Sequence, residues 1–283
     1  MTLAVTGASG HLGRLVVTHL LALGVAPGDI VALVRRPDAV ADLAGRGVAV
    51  RAFDYDRPET LAAGLEGVDS LLLVSGTAFG SREAQHRAVI EAAKAAGVGR
   101  IVYTSAPMSA TSVNPVVPEH RATEQALAES GVPHVVLRNG WYHENYLRDL
   151  ASAGQAGEIL TAAGEGLVSS ASRNDLAEAA ARVLAGDEVG RTYTLGGDVA
   201  WSVDDLAADY SAVLGRPVAV RRVSGEEKAA ILASFGLDEG TIGFAVGVDA
   251  AIAAGELAID TGDLSRILGR PTAPIIDTLR AGA

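Results

Sequence analysis

The chain has 283 residues, of which 49% are hydrophobic, and it carries a formal net charge of -11 and no cysteine. A chain without cysteine forms no disulfide and no thiolate metal site, and this acidic balance would repel nucleic acid. No apolar run approaches the roughly 20 residues of a membrane span, and we find no signal peptide. We therefore expect a cytoplasmic protein that binds no metal, nucleic acid or membrane.

The first half of the chain alternates short apolar runs with segments of helical periodicity. The apolar runs predict strands at residues 3–6, 30–34, 48–53, 71–74, 100–104 and 135–137. Helical patterns occupy residues 11–23, 82–96 and 122–129. Strands that are apolar throughout and alternate with helices indicate a parallel sheet covered on both faces. The predicted fold class is therefore α/β, with a doubly wound (Rossmann) parallel sheet and a smaller C-terminal substrate lobe.

The alternation loosens beyond about residue 148. Helices are predicted at residues 202–214, 226–233 and 264–268, and Ser202 with Asp205 forms the pattern of a capping box. We find no internal repeat, low-complexity tract or flexible linker. We expect residues 1–150 to form a dinucleotide-binding domain. Residues 151–283 would form a substrate lobe that returns to the sheet and does not fold independently.

A glycine-rich stretch, TGASGHLG at residues 6–13, joins the first predicted strand to the first helix. In this context Gly7 would allow a tight turn, Gly10 would let the backbone approach a pyrophosphate, and Gly13 would let the helix pack closely on the sheet. The amide groups at the start of the helix would face the phosphates. The alternative is a tight strand–helix turn that binds nothing.

The end of the second strand, VRRP at residues 34–37, indicates which dinucleotide binds. Enzymes that prefer NAD commonly place a carboxylate here, which holds the ribose 2′-hydroxyl and would repel a 2′-phosphate. An arginine side chain can instead clamp that phosphate with its planar fork. The sequence favours NADP(H), and the alternative is that both arginines are solvated loop charges.

These stretches, together with QHRAVIEAAKAAGVGRIVYTS at residues 85–105 and LRNGWYHENY at residues 137–146, carry a family resemblance. The chain resembles the atypical short-chain dehydrogenase/reductases of the NmrA-like branch, in particular the type 2 NAD(P)H:quinone oxidoreductases and, as near relatives, the triphenylmethane reductases. The resemblance runs over most of the chain. The glycine motif is shared by many reductases, whereas LRNGWYHENY is far more specific.

The resemblance implies a set of cofactor-binding residues. The pyrophosphate would be held by Gly7, Ser9, Gly10, His11, Leu12 and Gly13, and the 2′-phosphate by Arg35. Asp54 and Tyr55 would flank the adenine, and Val74, Ser75 and Gly76 would line the path from adenosine to ribose. Tyr103, Thr104 and Ser105 would lie near the nicotinamide, whose far wall would comprise Asn139, Gly140 and Trp141, with Tyr142 beside them.

The sequence departs from ordinary short-chain dehydrogenases at the catalytic pair. No tyrosine is followed four residues later by a lysine, because the only lysines are Lys94 and Lys228. Alcohol–ketone interconversion through that pair is therefore not expected. Quinone reduction needs mainly positioning and a dry site, since hydride attack yields a stabilised anion that water can protonate.

Two side chains are candidate catalytic proton donors. Tyr142 follows the sixth strand at the carboxyl edge of the sheet, and His120 precedes Glu124 on a helix where a carboxylate would keep it charged. Ser105 is the less favoured third candidate. The alternatives are that Tyr142 is an aromatic residue that fills the interface of the lobe and that His120 is an ordinary surface histidine. Trp141 and Tyr146 are predicted to serve packing, and the alternative is that they stack against a flat substrate.

The predicted activity is an NADPH-dependent reduction of quinones or related planar, electron-poor acceptors. The hydride would pass directly to the acceptor without flavin, because only one nucleotide-binding turn is present. The expected partners are a small planar quinone-like substrate and, at most, a second copy of the chain in a homodimer. The alternative, which the NmrA-like branch implies, is a redox-sensing regulator that binds NADP and acts through a protein partner.

Overall fold

The computed structural model describes residues 1–283. The chain divides into two compact units. The first comprises Met1–Ala106, Pro118–Asn139 and Arg173–Tyr193, and the second comprises Pro107–Val117, Gly140–Ser172 and Thr194–Ala283. This division differs from the single boundary predicted at residue 150. The chain returns to the first unit over residues 173–193.

The first unit is built from alternating strands and helices. In chain order they are β1 (Leu3–Thr6), α1 (His11–Ala22), β2 (Ile30–Val34), α2 (Ala41–Gly45), β3 (Ala49–Ala52), α3 (Glu59–Leu65), β4 (Ser70–Leu73), α4 (Arg82–Ala95), β5 (Arg100–Ser105), α5 (Val117–Ser130), β6 (His134–Asn139), α7 (Arg173–Ala185) and β8 (Arg191–Leu195). The six strands predicted from apolar runs are all present, with ends that differ by no more than two residues.

The strands form a seven-stranded sheet in the order β3-β2-β1-β4-β5-β6-β8. Pairing among the first six strands is parallel, with Leu3 opposite Ile30 on one side of β1 and opposite Ser70 on the other. This order is that of a doubly wound dinucleotide-binding sheet, so the predicted fold class is confirmed. Strands β2 and β3 are added on one side of β1 and the next three strands on the other, so the order of strand addition reverses between β1 and β4. Ligands of such sheets bind at the carboxyl edge at this point.

Burial explains why these segments are strands. Every residue of β1, β2, β4 and β5 is buried, as expected for interior strands of a parallel sheet whose two faces are both covered. One apolar cluster joins side chains of these strands to α3, α4 and α5; its largest members include Leu33, Leu71, Ile101 and Tyr103. A packed core therefore supports the carboxyl edge of the sheet.

The second unit has its own elements: α6 (Tyr146–Ala156), β7 (Glu158–Thr161), α8 (Val203–Leu214), β9 (Ala219–Arg222), α9 (Gly225–Ser234), α10 (Glu239–Ala253), α11 (Asp263–Leu268) and α12 (Ile275–Gly282). Strands β7 and β9 pair in parallel as a two-stranded sheet. A separate apolar cluster contains Tyr146, Trp201 and Tyr210. None of the helices in the structure combines the length and the apolar character needed to cross a bilayer.

Candidate functional site

The glycine turn between β1 and α1 has the geometry that the sequence predicts. Gly7 has a φ of 59°, in the left-handed region that favours glycine, and its carbonyl oxygen accepts a 2.8 Å hydrogen bond from the amide of Gly10. A Cβ atom at Gly13 would collide with the carbonyl group of Gly7, 2.8 Å from its carbon atom. Gly13 therefore lets α1 lie directly against the turn.

The first turn of α1 leaves backbone amides free to bind an anion. Its N-cap residue is Gly10, no side chain caps the helix, and the first turn contains no acidic residue. The first amides of a helix have no acceptor within the helix, and the helix dipole makes this end electropositive. Ser9, Gly10 and His11 are exposed here. The arrangement suits a phosphate group, as the glycine spacing predicts.

Arg35 and Arg36 follow β2 directly, and both are exposed. The sheet order sets β2 beside β1, so the arginines leave the same edge of the sheet as the glycine turn. The chain after them is fixed by Arg14 of α1, which donates 2.7 Å to Asp42 and 3.0 Å to the carbonyl oxygen of Ala39. The electropositive helix end and these two cations belong to one unit of the structure.

The segment after β4 is held by side chains rather than by strand pairing. The amide of Val74 donates 2.8 Å to Oγ1 of Thr6, and the hydroxyl group of Tyr55 lies 2.6 Å from that oxygen and 2.9 Å from the carbonyl oxygen of Val74. The amide of Ser75 donates 2.8 Å to Oγ1 of Thr104. Two predicted cofactor residues, Tyr55 and Val74, thus meet at Thr6, which is not among the residues predicted from the sequence, and two others, Ser75 and Thr104, pair with each other.

Two histidines are buried in a row of rings that begins at this segment. Tyr55, His86, Tyr103 and His120 follow one another with centroid distances of 6.0, 5.5 and 5.9 Å. Burial lowers the pKa of His86 to about 3, with smaller contributions from His120 and Arg82. Burial and Arg82 likewise lower the pKa of His120 to about 3. Both imidazoles are therefore neutral at physiological pH.

The expectation that a carboxylate keeps His120 charged is wrong, and so is the alternative of a surface histidine. His120 is only 6% exposed, and its Nδ1 lies 2.7 Å from the hydroxyl group of Tyr103. The neighbouring carboxylates face other groups: Glu119 accepts from the amide of Gly80, and Glu124 pairs with Arg138. Desolvation without a counter-charge leaves the imidazole neutral.

Ser105 lies at the carboxyl end of β5, and its hydroxyl group is hydrogen-bonded to a carboxylate. Its hydroxyl donates 2.6 Å to Oε1 of Glu124, and Arg138 holds the same carboxylate through Nε at 3.0 Å and Nη2 at 2.7 Å. Because the hydroxyl proton of Ser105 is donated to Glu124, only the lone pairs of the hydroxyl oxygen can interact with other groups. Ser105 is in this arrangement a hydrogen-bond acceptor rather than a proton donor.

Asn139, the last residue of β6, carries a polar group that the protein leaves unsatisfied. Its side chain is 6% exposed, and neither the amide nitrogen nor the amide oxygen has a hydrogen-bond partner. An unpaired buried amide costs about 1–3 kcal/mol for each group that stays unpaired. A ligand that offers both an acceptor and a donor would remove this cost. This orphaned amide, the glycine turn and the exposed arginines all fit a dinucleotide with a carboxamide at its end.

The rest of the predicted wall belongs to the second unit. The amide of Gly140 donates 2.7 Å to the carbonyl oxygen of Leu195. Trp141 is half-buried and stacks on Phe244 of α10, with ring centroids 6.5 Å apart and planes inclined by 30°. Tyr142 is half-buried and bridges to Ala171, whereas Tyr146 is buried edge-on against Trp201. Tyr146 therefore serves packing, as predicted. The structure contains no group of three or more metal-ligating side chains.

Known proteins resemble this chain over most of its length. A family model described as NAD(P)H-binding matches residues 7–187. Quinone oxidoreductase 2 of Escherichia coli strain K12 is 42% identical over 279 residues, which cover 98% of this chain and 97% of the relative. NAD(P)H azoreductase of Xenophilus azovorans is 33% identical over 242 residues, covering 83% and 82% of the two chains.

Solved structures are similar to the same extent. An NADPH-dependent quinone oxidoreductase from Escherichia coli, crystallised in complex with NADPH, matches with a TM-score of 0.95 and 40% identity over 99% of both chains. Triphenylmethane reductase from Citrobacter sp., complexed with NADP(H), matches with a TM-score of 0.93 and 36% identity over 100% of both chains. The matched region includes the glycine turn, the edge of the sheet and the residues around Asn139. The chain belongs to the NAD(P)H-binding family.

Proposed function

We propose that the protein is an NADPH-dependent reductase that passes a hydride directly to quinones or related planar, electron-poor acceptors. The observation that carries this proposal is the match along nearly the whole chain to a quinone oxidoreductase whose structure contains NADPH. The electropositive turn of the first unit and its unsatisfied amide support it independently.

In this proposal the first unit binds and orients the dinucleotide. The amides at the start of α1 hold the pyrophosphate, and Arg35 holds the 2′-phosphate through its planar guanidinium group. Asn139 pairs with the carboxamide, since that group supplies both a donor and an acceptor. Ser105 accepts a further hydrogen bond with the lone pairs that Glu124 leaves free. When bound, NADPH supplies the hydride.

The chain supplies little acid catalysis in this proposal. His86 and His120 are neutral, and burial raises the pKa of Tyr103 well above its ordinary value. A group of this kind does not release a proton by changing its charge near neutral pH. The reduced acceptor would take its proton from water or from the half-buried Tyr142. The stacked rings of Trp141 and Phe244 offer a flat apolar surface to a planar acceptor.

Steady-state oxidation of NADPH with a series of quinones tests the proposal. We expect turnover with quinones, slower turnover with NADH, and none with simple ketones, whose reduction in ordinary short-chain dehydrogenases uses a tyrosine–lysine pair that this chain lacks. A dialysed sample without flavin should be fully active. Tight binding of NADPH without turnover of any quinone would contradict the proposal and favour the redox-sensing regulator.

A further inference from the structure

Three consecutive amides after β4 each donate to a side chain. Those of residues 74 and 75 donate to the hydroxyl groups of Thr6, the last residue of β1, and Thr104, the last but one of β5; these two strands flank β4. The amide of Gly76 donates 3.1 Å to Nε2 of His86 on α4. At Val74 and Ser75, a threonine hydroxyl group accepts the amide hydrogen bond that a neighbouring strand would otherwise accept. At Gly76, the imidazole of His86 is the acceptor. Residues 74–76 thus have a fixed backbone without belonging to a strand.

Both ring nitrogens of His86 are hydrogen-bonded. Because Nε2 accepts from Gly76, the ring proton lies on Nδ1, which donates 3.0 Å to Oγ1 of Thr123 on α5. Thr123 in turn donates 2.9 Å to the carbonyl oxygen of Glu119. The imidazole is 0% exposed. A protonated ring would lose the acceptor that Gly76 uses, so the contact requires the neutral form.

Arg82 holds the other side of the same residue. Its Nε donates 2.7 Å to the carbonyl oxygen of Gly76, and its Nη1 lies 3.6 Å from Oε2 of Glu119. The other oxygen of Glu119 accepts a 2.9 Å hydrogen bond from the amide of Gly80. The arginine side chain is 5% exposed. Both peptide groups of Gly76 are therefore fixed by buried side chains that α5 holds in turn.

The fixed segment lies where a dinucleotide is expected to bind. Residues 74–76 follow β4, and the order in which the chain adds strands to the sheet reverses between β1 and β4, which is where dinucleotides bind in this fold. A backbone that is ordered before binding spares the ligand the entropy cost of ordering it. Neither His86 nor Arg82 needs to touch the ligand to have this effect.

We propose that His86 and Arg82 are positioning residues that lock the two peptide groups of Gly76 and thereby preform the edge on which the dinucleotide lies. The proposal rests on the proposed function, because it takes NADPH as the ligand. It assigns to the buried polar cluster on α4 and α5 a role in affinity rather than in the chemical step.

Amide hydrogen exchange of the wild-type protein without ligand is the first test. We expect the amide of Gly76 to be protected to within about tenfold of the amides of Val74 and Ser75, because all three depend on buried acceptors. Exchange of Gly76 at the rate of an exposed loop amide would overturn the proposal without any variant.

The second test compares His86→Leu and His86→Gln with His134→Leu as the control. His134 lies at the start of β6, away from the carboxyl edge, and Nδ1 of its imidazole lies 3.0 Å from the nearby carbonyl oxygen of Val132. By titration calorimetry with NADPH we expect His86→Leu to raise Kd by about tenfold, as for loss of one buried acceptor, while kcat at saturating NADPH changes less than about threefold. The glutamine, whose carbonyl oxygen can accept from Gly76, should restore most of the affinity.

A His86→Leu variant that folds and binds NADPH as tightly as His134→Leu would overturn the proposal. If His86→Leu does not fold, Arg82→Lys serves instead, and an unchanged Kd in that variant has the same meaning. Failure of the proposed function is separately visible, because the wild-type protein itself would then bind no NADPH or turn over no quinone.

Discussion

The hydroxyl group of Tyr103 and Nδ1 of His120 lie 2.7 Å apart, on side chains that are both buried. The pairing joins a phenol whose pKa burial raises to an imidazole whose pKa burial lowers to about 3. Each group is therefore held in its neutral form over the physiological range. The contact stabilises a polar pair in the core and provides no ready source of protons.

His120→Ala should accordingly be mild. We expect kcat with a simple quinone to fall less than about tenfold, whereas loss of an essential acid or base typically costs 10²–10⁴-fold. The pH dependence of kcat should be shallow between about pH 5 and pH 8, since no group of the cluster titrates there. Tyr142→Phe is the matched comparison. A fall of more than about a hundredfold in either variant, with NADPH affinity intact, would identify that side chain as a proton donor.

Arg35 should decide the choice between NADPH and NADH. Arg35→Ala should weaken NADPH binding by about 1.5–3 kcal/mol, as for loss of a charge-assisted hydrogen bond, and barely change NADH binding. Arg36→Ala is the control, because Arg36 is an equally exposed neighbour. Titration of each variant with both dinucleotides measures the difference. Equal losses for the two dinucleotides would show that Arg35 does not hold the 2′-phosphate.

Two glycines of the turn should respond in opposite ways. Gly13→Ala places a methyl group against the carbonyl group of Gly7, so we expect a loss of unfolding free energy of about 1–3 kcal/mol, as for overpacking. Gly10→Val should leave the unfolding transition cooperative and abolish NADPH binding, because its side chain occupies the approach to the phosphates. Urea unfolding and calorimetry on both variants separate the effects. Tight NADPH binding by Gly10→Val would refute the pyrophosphate site.

The buried histidines should make the fold sensitive to acid. Their pKa is about 3 in the folded state and near 6.5 in the unfolded state, so the unfolded chain binds more protons between these values. Stability is then complete above about pH 6.5 and falls as the pH decreases, by about 1.4 kcal/mol per pH unit for each histidine. Tyr55 and Tyr103 lie edge-on to the ring of His86, and His120 and Arg82 further lower its pKa.

Urea unfolding at a series of pH values measures this slope. His86→Leu should lower it by about one proton relative to the wild-type protein. An identical slope in His86→Leu and wild type would mean that His86 titrates normally in the folded protein.

Six of the seven strands of the sheet were predictable because their environment leaves a local pattern. Interior parallel strands such as β1 and β2 are buried on both faces and contain nothing but apolar residues and a terminal threonine. The capping box at Ser202 is also local, and both of its hydrogen bonds are present at the start of α8. Strand β8 of the sheet was missed because its sequence, RTYTL, is not an apolar run. Strands β7 and β9 were also missed, because they are short and the charged residues Glu158 and Arg221 interrupt their apolar pattern.

The candidate site was predictable only where it is local in the sequence. The glycine turn lies within eight consecutive residues, so its spacing alone indicates its geometry. The hydrogen bond from Val74 to Thr6 spans 68 residues, and no pattern in the sequence announces it. His120 was misread for the same reason: a histidine on a polar helix suggests solvent, and only the packing of α5 against β5 buries it. The family resemblance supplied the residues that spacing alone did not.

The adjacency of β1 and β4 also bears on how the protein folds. Leu3 and Ser70 are paired although they lie 67 positions apart in the chain, and the segment between them forms β2 and β3 on the other side of β1. Such long-range parallel pairing is slow, because the entropy of a large loop is lost before the contact is gained. Thr6 acquires its contact with Val74 only when this pairing is complete. During refolding, the capacity to bind a dinucleotide should therefore appear after the helices have formed, as one of the last events.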